Sequence, residues 1–221
     1  MRAAHFCSAC GKVQPPLPVD YFTFFGLPRK LHVNVVVLEK EFYELSRGLH
    51  PDLNVLQDKR EQDWSLEQTS MLNDAYRTLK DPIKRTQYLL RLEGIELEEQ
   101  SKSATEKARA TGEVKKQVVP PDLLEELFEM NMHLEELRTL KKQGEDDPAL
   151  LEEIGKQKLE LDEKLDAQLE QLKGYWHEWD KAVDSSGEEA RKKLLGKMVD
   201  VLNRRNYIRN LVRDINEAME Q

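Results

Sequence analysis

The sequence predicts an all-α protein that consists of an N-terminal helical hairpin and a C-terminal antiparallel three-helix bundle. Of its 221 residues, 34 % are charged and only 7 % are aromatic, a composition typical of a helix-rich protein with modest cores. Apolar residues recur at steps of three and four in two separate regions, which is the pattern of amphipathic helices. Residues 98–119 lie between these regions and have almost no apolar stripe, so they are predicted to be a linker.

The first helix of the hairpin is predicted to begin after Asn34, whose side chain can cap it. Its apolar positions have the i, i+4, i+7, i+11 spacing of a buried stripe. Pro51 should end this helix at or before His50, because a residue that precedes proline is disfavoured in the helical region. The stripe consists of Leu38, Phe42, Leu45 and Leu49.

The second helix of the hairpin is predicted from about Asp58 to Leu79. Asp81-Pro82 is typical of a helix stop followed by a new start, with Asp at the cap and Pro at the first helical position. The short helix that follows should end at Gly94. On the second helix the apolar residues are Leu72, Tyr76 and Leu79 on one face, with Leu66 in the earlier part.

The bundle is predicted over residues 120–221, with turns at 144–148 and 185–187. Short connections between three amphipathic helices favour an antiparallel arrangement. The stripe of the first helix is Leu123, Leu127, Met130, Leu134 and Leu137. The second carries Leu151, Ile154, Leu161, Leu165, Leu172, Trp176 and Trp179, and the third Leu194, Met198, Val201, Ile208, Leu211 and Ile215.

Charge and composition exclude several classes of protein. The net charge is −8, with 34 basic against 42 acidic residues, and a nucleic-acid binder would need a basic face. The longest apolar run is too short to span a bilayer, and the N-terminus lacks the apolar stretch of a secretory signal. With only two cysteines the expected setting is reducing and cytoplasmic, without membrane contact.

The sequence predicts a protein that is not an enzyme and requires no cofactor. It contains no Gly-rich phosphate loop, nucleophile elbow or metalloprotease helix. Acid pairs such as Glu125-Glu126 and Glu135-Glu136 lie on strongly charged helical stretches, where a solvated face is a better interpretation than paired-carboxylate catalysis.

One tripeptide, His50-Pro51-Asp52, gains its meaning from its position between two predicted helices. Alone it fits a helix terminus, with a Pro stop and an Asp in a turn. In this chain it directly follows the first helix of the hairpin, and a second helix with Asn73-Asp74-Ala75-Tyr76-Arg77-Thr78-Leu79 and then Asp81-Pro82-Ile83-Lys84-Arg85 comes after a loop. This arrangement over residues 20–97 resembles the J domain of DnaJ-type proteins.

The resemblance implies that this loop and the polar face of the preceding helix bind a DnaK-class chaperone and stimulate its ATP hydrolysis. The implied chaperone-binding residues are His50, Pro51, Asp52, Lys40 and Arg47. Glu39, Glu41 and Glu44 dilute the basic character of that face, and Leu53 stands where many J domains carry Lys or Arg. We therefore expect a dedicated chaperone partner.

Three further stretches are similar to HscB, the J-type co-chaperone family of iron–sulfur cluster assembly. They are Asp20 to Pro28, Gln87 to Leu97, and Leu123 to Met130. In that family the C-terminal bundle binds the cluster scaffold protein, IscU, and delivers it to the chaperone HscA. The implied scaffold-binding residues are Leu124, Phe128, Glu129, Glu136 and Tyr207. Glu125 stands where an apolar residue is usual and Met132 where an acid is usual, which leaves those two contacts in doubt.

Leu124 and Phe128 have two interpretations. They could form the edge of the bundle core, or an exposed apolar patch for a partner. The core stripe is already supplied by neighbouring residues of the same helix, so the sequence favours the exposed patch. Two alternatives for the whole chain also remain: a J-domain co-chaperone for a different client, and a non-catalytic coiled-coil adaptor.

Cys7 and Cys10 lie in an N-terminal arm, residues 1–19, that is predicted to be irregular. Two cysteines in a CxxC spacing resemble half of a structural zinc site, which needs four ligands. Some HscB-like proteins have two such pairs; here the other pair is absent, through loss or because the true start lies upstream of Met1. His5 or a second copy of the chain could add ligands, and two reduced surface thiols without metal are the other interpretation.

Overall fold

The computed structural model describes residues 5–50, 58–95, 97, 123–185 and 187–220. Within these residues the named elements are all α-helices, which confirms the predicted all-α class. The predicted linker and most of the loop after His50 lie outside the described residues. The helices are α1 Tyr21–Phe24, α2 Val35–Leu49, α3 Lys59–Lys80, α4 Pro82–Leu92, α5 Leu124–Gln143, α6 Pro148–Ser185 and α7 Glu188–Glu220. None of these helices is long and apolar enough to cross a membrane.

The chain divides into two compact units, and the first unit includes a stretch of α6 and α7 in addition to the N-terminal residues. The first unit comprises Met1–Glu96 and Trp176–Leu194, and the second comprises Leu97–Tyr175 and Leu195–Gln221. The sequence assigned all of residues 120–221 to the bundle, whereas the structure groups the end of α6 and the beginning of α7 with the N-terminal helices. The side chains of Trp179 and Asp180 account for this difference through the contacts described below.

In the first unit, α2 and α3 form the predicted helical hairpin. The Asn34 side chain accepts hydrogen bonds from the N–H groups of Val36 and Val37 and caps α2, and Asp58 caps α3 through the N–H of Glu61. The Asn34 cap lies where the sequence predicts it, and Asp58 lies at the predicted start of the second helix. The stripe of α2 faces inward: Leu38, Leu45 and Leu49 are buried, and Phe42 stacks on Tyr76 of α3 at 4.1 Å between ring centroids.

The first half of α3 differs from the prediction. Leu66 is 63 % exposed, whereas the buried positions nearby are the polar residues Glu61, Ser65 and Gln68. Each of these polar side chains has a hydrogen-bond partner on α2 or on the N-terminal arm. The inward face of this part of α3 is therefore polar, and sequence hydrophobicity identified the wrong face.

The segment before α2 is fixed by the end of α6, within the first unit. The Asp180 carboxylate accepts hydrogen bonds from the backbone N–H groups of Leu31 and His32, at 2.7 and 3.0 Å. The indole N–H of Trp179 donates to the carbonyl of Arg29 at 3.1 Å. On α4, the guanidinium of Arg85 lies over the ring of Trp176; burial lowers the pKa of Arg85.

The second unit is a three-helix bundle with a shared core. Two side-chain contacts show the relative direction of α5 and α6. Glu126, early in α5, contacts Lys164 of α6, whereas His133, later in α5, contacts Gln157, which lies earlier in α6. This order confirms the antiparallel packing of α5 and α6. The core draws on all three helices and consists of Leu123, Met130, Leu134, Leu137, Leu150, Ile154, Leu161, Ile208, Leu211, Ile215 and Ala218.

Candidate functional site

His50 is the residue at which α2 ends. Its backbone has φ −61° and ψ 129°, an extended conformation that terminates the helix, as the following proline predicts. The imidazole lies on the surface. Pro51 and Asp52, the other two residues of the motif, lie outside the described residues.

The last turn of α2 is tied to α3 directly before His50. Leu49 is fully buried, and its carbonyl accepts hydrogen bonds from the hydroxyls of Ser65 and Thr69 of α3, at 2.5 and 2.9 Å. A carbonyl in the last turn of a helix has no partner within that helix. The two hydroxyls satisfy this carbonyl and fix the direction in which the chain leaves α2.

The exposed face of α2 carries the two predicted basic residues. Lys40 and Arg47 are exposed and seven residues apart, which places them two turns apart on the same face. Two exposed apolar side chains accompany them, Val36 at 78 % and Tyr43 at 56 % exposure. Sequence analysis did not single out these two residues, because an apolar residue beside a buried stripe is normally assigned to the core.

Glu39 was expected to reduce the positive charge of this face of α2, but its side chain is hydrogen-bonded to α3. Its carboxylate accepts hydrogen bonds from the hydroxyl of Tyr76 at 2.7 Å and from Lys80 at 3.3 Å. These two contacts lower the pKa of Glu39. One of the three acids expected to dilute the basic face is therefore engaged with α3.

A second surface is formed by apolar residues on α5. Leu124, Phe128 and Met132 are 51 %, 66 % and 57 % exposed, and their spacing of four aligns them along one side of the helix. The neighbouring carboxylates of Glu129 and Glu136 are also exposed. We call Leu124, Phe128 and Met132 the α5 patch.

Leu124 and Phe128 both lie on the surface rather than at the edge of the core, and their contact with a partner stays a prediction. Tyr207 differs from the other predicted scaffold-binding residues. Its side chain is only 8 % exposed and is counted among the buried residues of the second unit. That degree of burial argues against a direct contact between Tyr207 and a partner.

Cys7 and Cys10 lie on a short hairpin formed by residues 5–14. The N–H of Cys7 donates to the carbonyl of Lys12, the N–H of Gly11 donates to the carbonyl of Cys7, and Gly11 has a positive φ of 71°. The N–H groups of Ala9 and Cys10 point at the sulfur of Cys7, and the Cys10 side chain also hydrogen-bonds to it. These contacts lower the pKa of the Cys7 thiol.

The described residues do not complete a zinc site around these two sulfurs. His5, the third ligand that the sequence offered, is buried, and both of its ring nitrogens are engaged: Nδ1 lies 2.7 Å from Gln68 Oε1 and Nε2 lies 3.0 Å from the carbonyl of Phe24. Within the described part of the chain no group of three potential ligands occurs. Two thiolates in the CxxC hairpin are half of the ligand set that a structural zinc ion needs.

Comparison with known proteins gives relatives in sequence. No protein-family model matches the chain. It is 40 % identical over 95 residues to the iron-sulfur cluster co-chaperone protein HscB of Mus musculus, which covers 42 % of this chain and 41 % of that protein. The Homo sapiens protein of the same name is 37 % identical over 97 residues, covering 43 % and 41 %. The matched region thus spans about two fifths of each curated relative.

The fold is similar to that of two solved structures. The crystal structure of human co-chaperone protein HscB has a TM-score of 0.62 and 24 % identity, covering 98 % of this chain and 90 % of that one. Chaperone HscB from Vibrio cholerae has a TM-score of 0.60 and 23 % identity, covering 92 % and 99 %. The sequence relatives at 37 to 40 % identity carry the same name as these two structures, so the chain is similar to HscB co-chaperones over about two fifths of its length and shares the fold of the solved HscB structures.

Proposed function

We propose that this chain is a co-chaperone that stimulates ATP hydrolysis by a DnaK/HscA-class chaperone and delivers an IscU-type iron–sulfur scaffold protein to it. The observation that carries the first half of the proposal is His50, which lies exposed at the end of a capped helix and begins the His50-Pro51-Asp52 motif. The names of the curated relatives carry the connection with iron–sulfur clusters. The chain itself catalyses no reaction in this proposal.

The chaperone contacts the exposed face of α2 and the loop that begins at His50. Lys40 and Arg47 supply positive charge for an acidic surface of the partner, and complementary charge favours fast and correctly oriented encounter. Lys40 is only loosely engaged with Glu44, at 3.9 Å between exposed side chains, and such pairs contribute little. Both basic groups are therefore available for the partner.

The scaffold protein contacts the α5 patch. Its three apolar side chains are exposed in the second unit, which is the behaviour of interface anchors before the partner binds. Glu129 and Glu136 lie beside the patch and contribute charge at its rim. Tyr207, which the family resemblance implied as a further contact, acts in this proposal as part of the interior.

The proposal also covers the setting and the metal. Two free cysteines and no disulfide among the described residues suit a reducing, cytoplasmic compartment. A bound zinc ion would take Cys7 and Cys10 as two of its ligands. The other two ligands would come from a second copy of the chain or from a cysteine pair that is not part of this sequence, which contains only these two cysteines. The ion would contribute to the stability of the hairpin and not to a chemical step.

The variant His50→Gln tests the proposal. Steady-state ATP hydrolysis by the chaperone is measured against increasing co-chaperone concentration, and we expect His50→Gln to give no stimulation above the basal rate because the motif is incomplete. His177→Gln is the matched control, since it changes another exposed histidine, on α6, and should stimulate like the wild type. Equal stimulation by His50→Gln and wild type would refute the proposal.

A further inference from the structure

The Cys7/Cys10 hairpin, residues 5–14, contacts both helix ends that flank the His50-Pro51-Asp52 motif. One arm of the hairpin carries Phe6 and the other carries Lys12, and an antiparallel bridge between Phe6 and Val13 joins the two arms. Val13 is 2 % exposed, so the hairpin is packed against the first unit rather than projecting from it. Each arm meets a different helix.

Phe6 rests on the backbone of α2 at Gly48, two residues before His50. A Cβ atom added at Gly48 would lie 2.5 Å from Cζ of Phe6 and 3.1 Å from Cε1. Glycine inside a helix is less stable than alanine, and the backbone of Gly48 is helical. The close approach of the Phe6 ring therefore explains the glycine at this position, and every other residue would displace the ring.

The other arm is attached to the beginning of α3. The ammonium group of Lys12 lies 2.7 Å from Oε1 of Glu61, which is 8 % exposed and belongs to the first turn of α3. Gln68, two turns further along α3, accepts from the ring of His5 and donates to the carbonyl of Gln14 at 2.6 Å. The hairpin thus connects the last turn of α2 with the first turns of α3.

We propose that the hairpin is a positioning element for His50, with Phe6 acting through the last turn of α2. The inference rests on the proposed function, because it assigns a role in presenting the same motif to the chaperone. The hairpin contacts lie near the end of α2, at Gly48, and near the beginning of α3, at Glu61. In this inference Phe6 acts through its contact with Gly48 and not by binding the chaperone.

The first test compares Phe6→Ala with Leu17→Ala in the full-length chain. Leu17 is an exposed apolar residue of the same N-terminal arm, so its variant controls for a change of surface. We expect Phe6→Ala to lower the maximal stimulation of chaperone ATPase by about fivefold or more, since misplacement of a functional group by about 1 Å can cost up to ~10²-fold in rate. Phe6→Leu, which retains much of the contact, should restore most of the stimulation.

Hydrogen exchange provides a readout that does not depend on the chaperone. In Phe6→Ala the amides of the last turn of α2 should exchange faster, while those of α4 and of the bundle should exchange as in the wild type. Unchanged exchange at Leu49 and His50, together with normal stimulation, would overturn the inference. A thermal unfolding curve shows whether the first unit is folded at the assay temperature.

A paired substitution at the contact separates positioning from general loss of stability. Gly48→Ala adds a methyl group in the space that the Phe6 ring occupies. In the wild-type background it should therefore lower the maximal stimulation of chaperone ATPase several-fold. The same substitution in a Phe6→Ala background meets no ring and should have no further effect. If Gly48→Ala lowers stimulation equally in both backgrounds, Phe6 does not act through Gly48 and the inference fails.

His50→Gln in the same assay distinguishes a failure of the proposed function from a failure of the positioning role of the hairpin. If His50→Gln stimulates fully, the proposed function is wrong and the positioning role falls with it. If His50→Gln is inactive while Phe6→Ala stimulates like the wild type, the proposed function stands and only the hairpin inference is overturned. If Phe6→Ala leaves the first unit unfolded, the effect of Gly48→Ala on stimulation is compared between the wild-type and Phe6→Leu backgrounds. The loss should be smaller with Phe6→Leu, because the smaller side chain at position 6 should relieve the clash with the added methyl group. An equal loss in both backgrounds would overturn the inference.

Discussion

Cys7 shows at the residue scale how backbone amides change the chemistry of a side chain. Its sulfur accepts from the N–H groups of Ala9 and Cys10, and these contacts together with the Cys10 side chain lower the pKa of the thiol. A thiolate is the reactive form of cysteine. Cys7 therefore has the properties of a nucleophilic thiol, although nothing in the described residues uses it in catalysis.

Alkylation of Cys7 should show this shift. We expect the rate of reaction with iodoacetamide, followed by peptide mass spectrometry between about pH 6 and pH 9, to rise at a lower pH than for an ordinary thiol with a pKa near 8.5. The sign follows from the direction of the shift, since a lower pKa exposes the thiolate at lower pH. In denaturant the amides are no longer arranged around the sulfur, so the alkylation rate should rise at the pH of an ordinary thiol. Identical pH curves in the folded and the denatured protein would contradict the lowered pKa of Cys7.

Individual residues also show where sequence analysis ends. The caps Asn34 and Asp81 depend on neighbours two or three positions away, and the sequence located both. The burial of His5 depends on Gln68, which is 63 positions away, and local patterns contain no information about such a pair. The same limit explains why Leu66 was expected on the buried face and why the contact between Phe6 and Gly48 was not foreseen.

At the scale of elements, α5 presents apolar residues on two sides. Met130, Leu134 and Leu137 face the core of the second unit, whereas Leu124, Phe128 and Met132 are exposed. Packing of α5 against the bundle core requires only the first of these two sets of side chains. The exposure of Leu124 and Phe128 could be predicted because the core stripe was already complete. The family resemblance also implied a partner contact for Tyr207, which is buried.

Phe128→Ala should weaken binding of an IscU-type scaffold protein by about 1–3 kcal/mol, the range of an interface anchor. Since the side chain is 66 % exposed in the free chain, the helicity and thermal stability should stay at wild-type values. Calorimetric titration of the scaffold protein measures the change. Leu159→Ala removes an equally exposed side chain, 62 % exposed on α6, and should bind normally; unaltered affinity of Phe128→Ala would exclude the α5 patch as the scaffold contact.

At the scale of the whole molecule, α6 and α7 each contribute to both compact units. The sequence predicted three helices with correct turns, yet it assigned them entirely to the bundle. Helix periodicity shows which residues are buried but not against which partner. Trp176 and Trp179 were predicted as buried and are buried, while their membership of the first unit depends on Arg29, Arg85 and the segment before α2.

Zinc content tests the remaining proposal at this scale. If two copies of the chain complete one tetrahedral site, the purified protein should contain about half an equivalent of zinc per chain. It should also elute as a dimer, and Cys7→Ser should remove both properties. A further cysteine pair from a longer form of the chain would instead give one equivalent and a monomer. Less than about a tenth of an equivalent in either form would favour two reduced thiols without metal.

The end of α6 is part of the first unit, and this has a spectroscopic consequence. The chain contains three tryptophans, at positions 64, 176 and 179, and all three belong to the first unit. Their fluorescence therefore reports on the first unit alone, and the core of the second unit contributes no indole signal. Tryptophan emission and circular dichroism, recorded on the same denaturation, resolve the two units without any label.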